Sequence, residues 1–296
     1  MQAHRRLTAA IGIQIGLVLL GCTGAPQVSY WKIPEQQPRT VYPNEESYRS
    51  SVDFAQLEHE MPLSADDLKQ ITFRNLQVAE QEQLDQIYSR LTAGPIPDGV
   101  YNGEFFFPRG ETGHRRISEI IGRDLKGAVV NIKMAKLEHL GEAMWKGKVF
   151  NKAHKVSRSR MSELAVLKDI LGEGAGEAGK SMVNGRQMRL AFPAKVYCGQ
   201  SLLDGRRESI ILDYAFTDDI EGYRQKPDAL VGRHGFMVRE EIRMVRPGLY
   251  LGRAYMGRMF VANFVLASED SQQPTGQVKE ECFVGAQRMA VDRHGS

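Results

Sequence analysis

The second half of the chain alternates apolar and polar side chains with a period of two, and turn residues interrupt it at short intervals. Leu190, Phe192, Ala194 and Val196 fall on one face of such a run, and Ala191, Pro193, Lys195 and Tyr197 fall on the other. Asp204-Gly205 supplies a tight-turn signal before residues 208–216, which predicts a hairpin. Residues 235–245 alternate again, Pro247-Gly248 turns the chain, 249–256 returns, Gly257-Arg258 turns it once more, and 259–266 ends the series. Connections this short make consecutive strands antiparallel. With further strands expected at 99–107, 129–134 and 145–151, the total is about eight, the number that closes a small barrel. A half-open, strongly curved sheet satisfies the same pattern.

Upstream the period lengthens. Ser64 followed by Asp67 has the form of a capping box, and Phe73, Leu76, Leu84, Ile87 and Leu91 share one side of a helical wheel. Glu80 falls on that side too, so the segment is either one helix with a solvated break or two shorter helices, ending before Gly94-Pro95. Residues 116–124 and 161–171 also have helical composition. The fold class is therefore α+β: a helical region at 63–93, then an antiparallel barrel-like domain at 94–267. Beyond it, the tail at 268–296 is polar, with only Cys282-Phe283-Val284 suited to packing back. Residues 22–62 include Pro26, Pro34, Pro38 and Pro43 among polar neighbours, a composition that resists helix and sheet and reads as a tether. Tyr30, Trp31 and Tyr42 are its candidates for docking on the domain or at an interface.

Arg5 and Arg6 precede an apolar run at 7–20 that is too short to span a bilayer, the pattern of a secretory signal at 1–21. Leu19-Leu20-Gly21-Cys22, at the end of that run, resembles the lipobox of bacterial lipoproteins. The resemblance implies that the Cys22 thiol carries a diacylglycerol, that the signal is cleaved before it, and that the membrane is a partner through this anchor. Thr23 lacks the negative charge associated with inner-membrane retention, which favours an outer-membrane lipoprotein facing the periplasm. An ordinary signal peptide with a nearby cysteine is the alternative.

The run Asp204-Gly205-Arg206-Arg207-Glu208-Ser209-Ile210-Ile211-Leu212-Asp213-Tyr214, then Arg239-Glu240-Glu241-Ile242-Arg243 and Pro247-Gly248-Leu249-Tyr250-Leu251-Gly252, resembles a group of uncharacterised bacterial proteins with the same succession of segments. Pro97-Asp98-Gly99-Val100-Tyr101-Asn102-Gly103 and Trp145-Lys146-Gly147-Lys148-Val149-Phe150 fit it as well, and residues at about 156–188 stand as a Gly-rich insertion in that pattern. The group implies a shared fold and brings no activity. Gly99-x-Tyr101 also resembles the opening strand of lipocalin-like barrels, without the tryptophan usual there.

Charge and cysteine usage narrow the classes. Removing Arg5 and Arg6 with the signal takes 39 basic residues to 37, against 36 acidic ones, so no electrostatic excess argues for nucleic acid. With Cys22 lipidated, Cys198 and Cys282 remain, and an exported compartment is oxidising enough for them to pair; two buried free thiols are equally compatible.

Gly174-Ala175-Gly176-Glu177-Ala178-Gly179-Lys180-Ser181 matches the P-loop pattern residue for residue. A working P-loop follows a buried strand and opens a helix, whose N-terminus cradles phosphate. The residues before it are helical in composition and Asn184-Gly185 interrupts any helix after it, so the run reads as a glycine loop. Ser201 lacks the Gly-x-Ser-x-Gly elbow, the seven histidines include no i, i+4 pair, and no motif asks for a metal or cofactor. Charge on the strands is more informative. Arg239, Glu241 and Arg243 share one face, which leaves Glu240 on the other with Val238, Ile242 and Met244. A carboxylate among such neighbours needs a cationic or hydrogen-bonding partner, and it is a candidate for orienting a ligand or moving a proton. Tyr197, Asp213, Tyr214, Arg243 and Tyr250 complete the candidate ligand-binding set. These features lead to the expectation of an envelope lipoprotein that binds a hydrophobic or amphipathic small molecule in its barrel. The alternatives are an interaction lipoprotein whose barrel is filled by its own side chains, and a small-molecule enzyme using Glu240, Asp213 and a tyrosine.

Replacing Cys22 by Ser is expected to abolish metabolic labelling with palmitate and to leave uncleaved or mislocalised protein. Labelling that survives Cys22→Ser refutes the lipobox.

Overall fold

The structure, a computed structural model, describes residues 24–32, 52–110, 144–162, 179–270 and 281–282. The signal at 1–21, Cys22, Tyr42, the expected strand at 129–134 and the expected helix at 116–124 lie outside these residues.

Among the described residues, four helices precede the sheet: α1 (Phe54–Glu60), α2 (Ala65–Gln70), α3 (Phe73–Val78) and α4 (Gln81–Arg90). Each starts at a polar cap. Ser64 and Asp67 exchange capping-box bonds on α2, Thr72 and Asn75 do so on α3, and Asp53 accepts from two N–H groups of α1. Glu80 resolves the ambiguity of the apolar stripe in favour of two helices, because it is the N-cap of α4. The stretch read as a tether contributes packed structure: Leu57 of α1 is fully buried, and Trp31 exchanges two backbone hydrogen bonds with the Gln86 side chain at 2.8 and 3.0 Å.

Among the described residues nine strands follow: β1 (Gly99–Phe106), β2 (Trp145–Asn151), β3 (Val156–Met161), β4 (Gly179–Val183), β5 (Arg186–Gln200), β6 (Glu208–Asp213), β7 (Val238–Arg246), β8 (Leu249–Met256) and β9 (Met259–Ser268). A short α5 (Gln225–Asp228) lies between β6 and β7. The order β3-β2-β1-β9-β8-β7-β6-β5-β4, with β3 also paired to β5, closes eight antiparallel strands into a barrel and leaves β4 as an extra strand on β5. Residues 156–188, read as a Gly-rich insertion, thus supply the closing strand β3 and the hairpin strand β4. Met161, expected to open a helix, ends β3. β7 begins at Val238, three residues later than the alternation suggested, because Gly235 and Met237 are held in turns by the Gly232 carbonyl.

Side chains alternate between two apolar layers. Tyr101, Phe150, Ala194, Ile210, Leu212, Ile242, Tyr250, Phe264 and Leu266 form the barrel interior. Their neighbours Phe106, Val245, Leu249, Leu251 and Val265 point outward and pack with Leu76, Leu84, Ile87 and Leu91 of the helices. β8 and β9 are buried on both faces for this reason, which is why they read as almost unbroken apolar runs.

One end of the barrel is plugged. Leaving α4, Thr92 bridges to Met244, Ala93 enters the interior cluster, and the Tyr250 hydroxyl donates to the Pro95 carbonyl at 2.8 Å. Cys282 reaches the same cluster through a disulfide to Cys198, with Cα atoms 5.2 Å apart. At the opposite end Phe105, Trp145, Val238 and Ala254 are only partly buried against the core.

Inside, Gly252 leaves room for an aromatic ring: a Cβ there would lie 2.2 Å from the Phe264 ring. Gly252→Ala is expected to cost about 1–3 kcal/mol by overpacking, since a ring inside a closed barrel has little room to yield. Gly205→Ala, in a turn where nothing lies within 4 Å of the added carbon, is the control and is expected to stay within about 0.5 kcal/mol. Urea denaturation of both variants checks the difference, and equal stabilities would refute the packing account.

Candidate functional site

Interior positions of an eight-stranded barrel are normally apolar, so polar groups there need partners. Four meet on the interior wall. Lys148 of β2 is fully buried, and its Nζ donates to Tyr214 Oη at 2.7 Å and to Ser159 Oγ of β3 at 3.2 Å. It also forms an ion pair with Glu240 Oε2 of β7 at 2.9 Å. Tyr214, immediately after β6, donates its hydroxyl to the same Glu240 oxygen at 3.0 Å. The ammonium also lies 5.7 Å from the centre of the Trp145 ring, close enough for a cation–π contact to offset part of its lost hydration.

Strand chemistry positions each member. Gly147, at φ +120°, sits at the irregularity where β2 pairs with β3; a Cβ there would lie 2.1 Å from the Tyr101 carbonyl oxygen. The lysine that follows is turned inward, opposite Ser159. Glu240 is brought beside Leu212 and Ala254 by the β6–β7 and β7–β8 registers. Burial and the neighbouring Glu240 charge hold the Tyr214 phenol well above the ordinary tyrosine value, so it is a neutral donor throughout the physiological range. Glu240 keeps 14% of its side-chain surface exposed, unlike Lys148. Glu240 is the most exposed member of the cluster, and the surrounding wall of Trp145, Phe105 and Phe264, in edge-on ring contacts, is apolar.

Of the candidate residues named from the sequence, Glu240, Tyr214 and Tyr250 face the interior. Tyr250 lies at the plugged end, packed edge-on to Tyr101, with its hydroxyl already committed to Pro95. Tyr197 and Asp213 are not brought to this wall. Strand alternation puts them outside, where exposed Tyr197 donates to Asp213 at 2.7 Å; burial of the ring and this bond raise its pKa to about 12. Arg243 is also outside the barrel, though fully buried: its guanidinium donates to the carbonyls of Tyr88 and Arg207, both at 2.9 Å, and to Ser209 Oγ at 3.0 Å, beneath α4. Lys148 and Ser159 were not singled out from sequence. Gly179, Lys180 and Ser181 lie in strand β4, where a P-loop would place the start of a helix; Gly174 to Ala178 lie outside the described residues. Among the described residues no cluster of His, Cys, Asp and Glu is arranged to hold a metal.

No protein-family model, curated protein or solved structure matches the chain.

A buried ion pair is costly to break and cheap to replace as a unit. Lys148→Met is expected to destabilise the protein by about 3 kcal/mol, since it strands the Glu240 carboxylate beside apolar walls. The double variant Lys148→Met/Glu240→Gln should recover most of that loss. Equal destabilisation by the single and double variants in denaturant titrations would show that the pair is not coupled.

Proposed function

We propose that this protein is a lipid-anchored envelope protein whose barrel binds a hydrophobic or amphipathic small molecule in the half around Glu240. The observation that carries the reading is a polar cluster of Lys148, Tyr214, Ser159 and partly exposed Glu240 set into an otherwise aromatic and aliphatic wall. A few convergent polar groups in an apolar concavity are the usual composition of a small-molecule site. The anchor is supported by the lipobox-like Leu19-Leu20-Gly21-Cys22 and the preceding signal pattern. Outer-membrane placement facing the periplasm is supported by Thr23 after that cysteine.

A second reading, an interaction lipoprotein with a filled barrel, draws on the plugged end. There Tyr101, Phe150, Tyr250 and Leu266 are packed with almost no exposure, so any ligand is confined to the Glu240 half. The two readings separate on extraction of the full-length protein from its native envelope. Ligand binding predicts an apolar or amphipathic molecule in the solvent extract of the purified protein, detected by mass spectrometry, and a reduced amount of it in the Lys148→Met/Glu240→Gln variant. An empty native protein that also fails to take up amphiphiles would leave the filled-barrel reading.

A further inference from the structure

The hydrogen-bond inventory of the interior cluster restricts what kind of head group it accepts. A lysine ammonium has three N–H donors. Two of those of Lys148 go to Ser159 Oγ and Tyr214 Oη, and its charge is paired with Glu240 Oε2 2.9 Å away. Tyr214 has one hydroxyl proton, which goes to Glu240 Oε2. Lys148 is 0% exposed and Tyr214 2%, so neither presents a donor to an incoming group. Glu240 is different. Its Oε2 accepts from Tyr214 and is paired with Lys148, while its Oε1 accepts from no described residue, and the side chain retains exposure. The available function at the site is thus an acceptor. On the same interior wall Ser157, one inward position from Ser159 and only 1% exposed, has a hydroxyl without a partner among the described residues.

Charge gives a second restriction. Lys148 and Glu240 cancel, so a third charge of either sign beside Trp145 and Phe264 would lie uncompensated in an apolar environment. A carboxylate or phosphate head would also face the free oxygen of Glu240. An ammonium would suit that oxygen but leave the site with net positive charge next to buried Lys148.

Building on the ligand-binding reading above, we infer that the barrel selects a neutral amphiphile whose head donates hydrogen bonds, a hydroxyl or amide group on an apolar body, and discriminates against fatty acids and alkylamines. The head donates to Glu240 Oε1 and its apolar body lies along the partly buried Trp145 and Phe105.

The chain has two tryptophans, Trp31 and Trp145. Trp31 is tied to α4 through its backbone, so Trp31→Phe spares those bonds and leaves Trp145 as an interior reporter. Titration of this variant with a bromine-labelled alcohol, alkylamine and carboxylic acid of equal chain length, at neutral pH below their micelle thresholds, reads head-group preference as fluorescence quenching. The expected result is quenching by the alcohol with a dissociation constant at least about tenfold below those of the acid and the amine. In Lys148→Met/Glu240→Gln, added to Trp31→Phe, the preference over the acid should shrink, because the repelling carboxylate is gone. Acid or amine binding as tightly as the alcohol overturns the selectivity and leaves the ligand-binding reading standing. Absence of quenching by all three overturns both.

Discussion

Pairing of β3 with β5 decides what the rest of the molecule has to do. Without it the sheet would be an open, curved layer with two edges, and its concave face would be wet. With it, one face of eight strands is enclosed. Enclosure is demanding at β5, where Phe192 takes a positive φ of 54° against the irregularity between Arg158 and Ser159. That backbone is rare for an aromatic residue and is held from outside: Asp228, the last residue of the short α5, accepts the Phe192 N–H at 2.7 Å and the Arg224 N–H at 2.8 Å. Once the ring is closed, any ion inside must find its counter-ion inside. Lys148 and Glu240 are the result.

The outer face of β7, β8 and β9 answers to a different constraint. Helix α4 lies over it, so polar residues that would face water on an uncovered barrel are buried as well. Arg253 of β8 pairs with Asp85 of α4, the Asp85 carboxylate also accepts from Gln81 at 2.7 Å, and Gln81 accepts from Asn263 of β9 at 2.6 Å. The Arg253 guanidinium rests 4.1 Å from the centre of the Phe260 ring. These bonds fix the lateral position of α4 on the strands, which apolar contact between Leu84, Ile87, Leu251 and Val265 alone would leave free to slide. The helices are therefore a second wall of the barrel.

Strands bounded by turn residues were legible: β8 and β9 fall where the Pro247-Gly248 and Gly257-Arg258 turns put them, and β2 falls at its expected 145–151. β3 was hidden because its inward residues are Ser157 and Ser159 rather than aliphatic ones, so Val156–Met161 alternates serine with arginine and shows no apolar period. The need of Glu240 for a cationic partner could be read from its neighbours, but the partner could not be named. Lys148 lies between Gly147 and Val149 in a run that also holds Lys146, and nothing local distinguishes the buried lysine from the solvated one. That distinction arises from the irregular pairing at Gly147 and from a contact across the barrel, neither of which leaves a short-range mark. Arg243 shows the converse. Its face was assigned correctly by alternation, yet its complete burial depends on a helix more than a hundred residues earlier.

The pairing of β1 with β9, together with Thr92 against Met244 below them, has a consequence for how the chain is made. The first strand to leave a ribosome or a translocation channel has β2 as one neighbour, while its other edge waits for the last strand of the sheet. Helix α4 is in the same position, since Asp85 waits for Arg253 and Tyr88 for Ser209. Nearly the whole N-terminal half must remain unfinished until residue 268 has emerged, exposing an unpaired strand edge and an uncovered apolar helix face in the interval. Synthesis order and contact order oppose each other here, and the chain meets that delay before its last strand can complete the ring.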